Sequence, residues 1–284
     1  MKIAGVVVIY NPDDTVLENI KTYIDIVEKL YVVDNSIEKI NIVNEIKKIL
    51  KVEYISLNGN KGIAKALKVA TEKAIGDGYD FLLSMDQDSQ FPTEHGETIK
   101  NCLKSQDTAR VGMLGINYKN NSSADKLDTV INVNCIITSG AFLNLHNYKQ
   151  INGYNEDLFI DLVDNDICFQ FILAGYDVLL MPHVHIKHKL GKTKNVNCLW
   201  YKREIITHSP IRYYYMYRNY NYLLKHRSKK YRRLLKQYKY GYGFKLFVRR
   251  VLFEKPRWKI FKMICKGIRD GKRGILGPYE TGEK

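Results

Sequence analysis

The sequence predicts an α/β domain, a mixed sheet flanked by helices, followed by a basic helical extension. Three observations predict it. Short β-branched apolar runs alternate with amphipathic stretches up to Met85. Each of those runs ends in polar residues. The charge is divided as well: residues 1–186 carry 17 Lys and Arg against 25 Asp and Glu, whereas residues 187–284 carry 28 against 5. The predicted division is an α/β domain over 1–205 and a basic, aromatic-rich helical extension over 206–284.

Ile3 to Tyr10 is a continuous apolar run of the kind buried in a parallel sheet. Asn11-Pro12-Asp13-Asp14 stops it, and Asp13, Asp14 or Thr15 can cap the amphipathic stretch that follows to about Leu30. Tyr31-Val32-Val33 is a second strand, ending in Asp34-Asn35-Ser36. After a helical stretch (38–50) comes strand three over 52–57, and Asn58-Gly59-Asn60-Lys61-Gly62 turns into a helix over 63–75. Phe81 to Met85 is strand four and runs directly into Asp86-Gln87-Asp88. Right-handed crossovers make these strands parallel, and ligands of such sheets bind beyond the carboxyl ends of the strands. Asn11, Asp34, Asn60 and Asp86 therefore gather on one edge. Further on, 111–116 and 130–145 read as strands, the second with a tight spot at Ser139-Gly140-Ala141. A helix is expected over 161–174, ended by Gly175, then a short strand over 178–181, and helices from Ser209 onward.

Composition excludes several classes. Hydrophobic residues at 45% and aromatics at 12% exclude a disordered chain. No run reaches the roughly 18 apolar residues of a membrane-spanning helix. Five scattered cysteines without metal-ligand spacing read as reduced thiols of a cytosolic protein.

Two carboxylates flanking one residue at a strand end, Asp86 and Asp88, can address a divalent cation and a ribose together. The oxygen-preferring ions Mg²⁺ or Mn²⁺ suit such donors and keep sites for water and substrate phosphates. An isolated Asp-x-Asp is more often a solvated turn; its place after strand four makes it a candidate site. Asp161, Asp164 and Asp166 open the helix over 161–174. They are either ordinary helix-start acids or include the base of a transfer reaction.

The successive stretches "VVVIYNP", "YVVDNS", "NKGIAKA" and "LSMDQDS" resemble, in this order, the motifs of family-2 glycosyltransferases with the GT-A fold. "DQDS", "FIDLVDNDIC", "HKLG" and "HSPIRYYYMYRN" are similar to bacterial rhamnosyltransferases that build polysaccharides, and the resemblance covers residues 3–225. It implies a nucleotide-sugar donor, dTDP-L-rhamnose first and a UDP-hexose or UDP-N-acetylhexosamine second, and a lipid-linked saccharide acceptor. Asp34 would contact the base, while Asn60 and Gly62, with Tyr10 and Asn11, would line the nucleotide pocket. Asp86 would lie near ribose and metal, Asp88 on the metal, and His188 at the metal or diphosphate. Arg212 and Arg218 would meet a diphosphate or a lipid pyrophosphate. Asp164 would be the base, with Val163-Asp164 standing where Glu-Asp is usual; Asp166 would assist, and Ser139 and Gly140 would lie on the acceptor side. Where relatives often carry Asn, Leu67-Lys68-Val69 stands here, which leaves the donor open.

Segment 225–273 interleaves Lys and Arg with Phe244, Phe247, Trp258 and Phe261, the pattern of helices lying in an anionic membrane interface. The expected location is the cytoplasmic face of a membrane. No nucleic-acid motif is present, and the acidic body would repel a duplex. The remaining alternative is a non-catalytic membrane- or nucleic-acid-binding module. Oligomeric state is not fixed by the sequence.

Overall fold

The structure, a computed structural model, describes residues 1–38, 41–118, 129–188, 192–198, 201–237, 247–248, 250–251 and 254–279, of which 188, 192–198 and 201–206 are described by backbone alone. They form two compact units: Met1–Glu156 with Val163–His188, and Asp157–Leu162 with Lys189–Lys284.

The first unit contains β1 (Ile3–Ile9), α1 (Thr15–Lys21), β2 (Lys29–Asp34), α2 (Ile42–Lys47), β3 (Val52–Ser56), α3 (Ile63–Gly76), β4 (Phe81–Asp86) and β5 (Ser89–Gln90). It continues with α4 (Gly96–Ser105), β6 (Val111–Asn117), β7 (Ile131–Asn132), β8 (Ala141–Asn144), α5 (Leu145–Tyr148), α6 (Val163–Leu173), β9 (Asp177–His185) and β10 (Lys187–His188). Eight strands make one sheet in the order β3-β2-β1-β4-β8-β6-β9-β7. The first four run parallel, and β8 is antiparallel to both β4 and β6, so the sheet is mixed as expected. Every residue of β1 is buried, which is why that strand reads as an unbroken apolar run. In α3 the buried face is mostly alanine (Ala64, Ala66, Ala70, Ala74), and such small side chains let a helix lie close to the sheet.

The single strand expected over 130–145 is divided. Ile131–Asn132 pairs with β9, whereas Ala141–Asn144 inserts between β4 and β6. Gly140 makes the turn at φ +74°, and a Cβ there would also lie 2.7 Å from Ile116.

The second unit adds β11 (Lys192–Cys198), β12 (Tyr201–Thr207), α7 (Pro210–His226), α8 (Lys229–Gln237) and α9 (Arg257–Arg273) to the segment Asp157–Leu162. β11 and β12 pair with each other antiparallel. Ser209 caps α7 through its hydroxyl, with Pro210 in the first turn. α9 packs on α7 through Gly267 and Gly271: a Cβ at either would come within 2.5 Å and 2.2 Å of the carbonyl oxygens of Tyr214 and Arg218. Among the described residues no helix is long and apolar enough to cross a membrane.

Candidate active site

The register of the sheet brings the strand-end aspartates together. Asp34 faces Ile9 and Asp86 faces Val8, so both end strands that flank β1, at the same carboxyl edge. The strand order reverses at β1, and an open α/β sheet has its ligand crevice at such a switch point.

Asp34 is buried and doubly bonded. One carboxylate oxygen accepts from the Ser36 amide at 2.7 Å, the other from the Tyr54 hydroxyl at 2.6 Å. Burial, reinforced by that bond to Asp34, pushes the Tyr54 hydroxyl up to about 12, so it remains a donor at neutral pH. Asn35, next along, fastens the glycine turn: its amide donates to the Gly62 carbonyl at 3.1 Å and its oxygen accepts from the Lys61 amide at 3.1 Å. Asn60 accepts from the Gly62 amide at 3.0 Å, and Gly62 stands at φ +85° before the first turn of α3. This turn leads into the N-terminal end of a 14-residue helix, a place that favours an anion.

The acidic loop is tied on three sides. Gln87 accepts from the Tyr10 amide at 2.7 Å and donates to the Tyr10 carbonyl at 3.3 Å. Asn19 donates to the Gln87 carbonyl at 2.7 Å. The Asp86 amide donates to the Ser139 hydroxyl at 3.1 Å, and Ser139 donates to Ser89 at 2.9 Å. Ser139, expected on the acceptor side, is itself buried and supports the acidic loop from below. Gly140 continues that support, its amide donating to the Ser84 carbonyl at 2.8 Å. Asn11 adopts φ +45° and its amide donates to Ser36 at 2.8 Å, joining the ends of β1 and β2. Asp88 is exposed at the tip of the loop. β10 pairs with β5 so that His188 stands opposite Ser89, one residue from Asp88; its side chain lies outside the described residues.

Among the described residues no three His, Cys, Asp or Glu side chains close around one point. Asp86 and Asp88 offer only hard oxygen donors, a set that fits Mg²⁺ or Mn²⁺ when diphosphate and water supply the remaining ligands.

Asp164 lies in the first turn of α6 and accepts from the Thr138 hydroxyl at 2.9 Å. Thr138 immediately precedes Ser139, so one short stretch braces both the base candidate and the acidic loop. Asp166 is buried and accepts from Gln170 at 2.8 Å. Lys68, at the position where the sequence departs from its resemblance, pairs with Glu156 at 3.0 Å, as Lys65 does at 2.7 Å.

In the second unit, Arg212 pairs with Asp161 at 3.2 Å. Arg218 corrects its expectation as a diphosphate contact. Its side chain is fully buried and donates to the backbone carbonyls of Asp157 (3.1 Å), Leu158 (2.9 Å) and Gly277, with Asn219 taking the Nε–H at 2.9 Å. The guanidinium is a structural anchor. Asn35, Tyr54 and Thr138 escaped the sequence reading because single hydroxyls and amides carry no periodic signal.

Residues 6–156 match the model of glycosyl transferase family 2. The chain belongs to that family. A dTDP-rhamnosyl transferase of Shigella flexneri, RfbF, is 27% identical over 237 residues, 76% of this chain and 78% of that protein. Among solved structures, S. aureus TarS superposes with a TM-score of 0.61 at 16% identity over 91% of this chain; the chain spans 47% of the TarS length. The TarS fragment 1–349 gives 0.60 at 16% identity, over 97% of this chain and 83% of the fragment. At such identities the likeness to TarS is one of fold. The family-2 protein described here is a nucleotide-sugar glycosyltransferase, and its two-aspartate loop stands at the carboxyl edge of the sheet beside β1.

Proposed function

We propose that this glycosyltransferase moves L-rhamnose from dTDP-L-rhamnose, with inversion, to a saccharide hydroxyl on a lipid carrier. The reading is carried by one convergence: Asp34, the Asn60–Gly62 turn and the Asp86-Gln87-Asp88 loop share a sheet edge in a chain whose relative is a dTDP-rhamnosyl transferase. Asp34 takes the base, with Tyr10, Asn11, Asn60 and Gly62 around the nucleotide. Asp86 orients the ribose and, with Asp88 and His188, holds Mg²⁺ or Mn²⁺. When bound, that cation neutralises charge developing on the departing diphosphate.

Asp164 accepts the proton of the acceptor hydroxyl as its oxygen attacks the anomeric carbon opposite the diphosphate. The bond from that carbon to the diphosphate oxygen breaks, and dTDP leaves with the electron pair. Thr138 holds the Asp164 carboxylate in one orientation for this step. Asp166, buried in the same first turn of α6, assists from behind Asp164, and Arg212 is kept for the pyrophosphate of the lipid carrier. The lipid acceptor puts the protein at the cytoplasmic face of a membrane, where the basic extension meets anionic lipid.

Nucleotide release from dTDP-rhamnose, UDP-glucose and UDP-N-acetylglucosamine, with Mg²⁺, Mn²⁺ or chelator and with or without lipid-linked saccharide, tests this. Release from dTDP-rhamnose that rises with acceptor and falls with chelator is expected. Preference for a UDP-sugar overturns the donor, and release insensitive to chelator overturns the metal.

A further inference from the structure

The outer face of α9 is built for an anionic surface. Over residues 207–279 the described carboxylates are Glu254 and Asp270, and both are buried. Glu254 accepts from the Tyr213 hydroxyl; Asp270 accepts from Tyr214 at 2.9 Å and from Lys266 at 2.7 Å. Acids that would offset the surface charge are therefore held inside. Meanwhile Lys255, Arg257, Lys259, Lys262, Arg269, Lys272 and Arg273 are exposed on or beside α9.

The orientation of this helix is fixed from behind. Ile260, Met263, Ile264, Gly267, Asp270 and Gly271 form its buried face, and the two glycines seat it against α7 without space for side chains. At 1.5 Å per residue the 17-residue helix is about 25 Å long, and its outward stripe presents cations along that whole length. At its N-terminal end Trp258 is 66% exposed and stacks on Phe261, ring centroids 5.4 Å apart at 11°. Lys262 stands over the Trp258 ring at 5.3 Å. A large exposed indole amid cations is costly in water and well matched to a headgroup layer, where the ring meets acyl chains and the ammonium groups meet phosphates.

We propose that the outer face of α9 docks on an anionic lipid bilayer, with the Trp258–Phe261 pair inserted and Lys259, Lys262 and Arg269 on lipid phosphates. Charge alone also suits a nucleic acid; the exposed Trp258 indole, stacked on the half-buried Phe261, favours lipid. The site deepens the lipid-acceptor reading, but its test needs no acceptor, so either can fail alone.

The 284-residue chain carrying Trp200→Phe, which leaves Trp258 as the reporting indole, is mixed with phosphatidylcholine vesicles with or without phosphatidylglycerol. A blue shift of Trp258 emission and co-sedimentation are expected with phosphatidylglycerol only, weakening as salt is raised. The triple reversal K259E/K262E/R269E should weaken binding at least tenfold while leaving nucleotide release from the donor unchanged. Should the triple variant fail to fold, Trp258→Ser, on an exposed side chain, should weaken binding severalfold in its place. Binding that ignores lipid charge, or an unshifted Trp258 emission, overturns the proposal. So does an RNA oligomer that binds through the same three cations as tightly as the vesicles, and free phosphate that displaces the vesicles at millimolar concentration overturns the bilayer as occupant.

Discussion

Two aspartate-bearing stretches, one in each unit, are held in opposite ways. The Asp86–Asp88 loop of the first unit is held by neutral side chains, Gln87, Asn19 and Ser139, bonded to nearby backbone, and it leaves Asp88 exposed. The Asp157–Leu162 segment of the second unit is held by a buried charge. Phe159, Asp161 and Leu162 stand at φ of 64°, 67° and 63°, left-handed backbone that costs roughly 1 kcal/mol or more for each non-glycine residue. Arg218 offsets that cost by donating to the carbonyls of 157 and 158, and Asn219 donates to those of 158, 160 and 161. Phe159 stacks on Tyr215 at 4.9 Å, and burial holds the Asp161 carboxyl above its ordinary range despite Arg212. Support of the first kind aims reactive groups outward; support of the second keeps a strained path in place. Breaking each should therefore register in a different measurement.

The largest effect is expected at the outward-aimed groups. Asp164→Asn should lower the transfer rate by about 10²–10⁴-fold, the range of a lost general base, with the melting temperature essentially unchanged. Asp88→Ala should cost as much and should also abolish the response to Mg²⁺ or Mn²⁺. Retained transfer by Asp164→Asn would remove the base assignment. Arg218→Met comes next and should act the other way, lowering unfolding stability by about 3 kcal/mol or more because buried carbonyls lose their donor. If it instead raised the KM for donor at constant stability, the original expectation of a diphosphate contact would be restored.

The contrast also explains what could be seen in advance. Strands β1 to β4 and the polar residues at their ends were legible because burial imposes a continuous apolar run and the sheet imposes where it stops. Asp34 and Asp86 could thus be placed on one edge from spacing alone. Arg218 could not be assigned, because an arginine among tyrosines looks the same on paper whether it faces a ligand or anchors a backbone. Its partners lie about sixty positions away in the chain, at Asp157, Leu158 and Gly277. The tight spot at Ser139 is visible in the sequence but its neighbour is not, since antiparallel insertion of β8 beside β4 is what brings it under Asp86. The division of 130–145 into two strands hid for the same reason: apolar runs do not reveal their partners.

Smaller effects probe the supports themselves. Ser139→Ala leaves the Asp86 amide without its acceptor, a loss of about 1–2 kcal/mol. It should appear as roughly a tenfold fall in kcat/KM and a weaker metal response. An effect on melting temperature alone would make Ser139 a packing residue.

The smallest effect concerns His208, whose ring meets Tyr213 edge-on at 5.7 Å. Burial, with the charges of Arg212 and Arg250 behind it, lowers its pKa to about 4, whereas the unfolded chain titrates near the ordinary 6.5. Below pH 6.5 the unfolded state takes up a proton that the folded state refuses, so this contribution to stability is lost as pH falls from 6.5 towards 4. The side chain is partly open to water, which limits the loss to about 1 kcal/mol at pH 5. His208→Phe keeps the aromatic contact and removes the titration. Urea midpoints at pH 7 and pH 5 should therefore diverge less for the variant than for the wild type. Equal divergence would mean that carboxylates alone set the acid sensitivity of this unit.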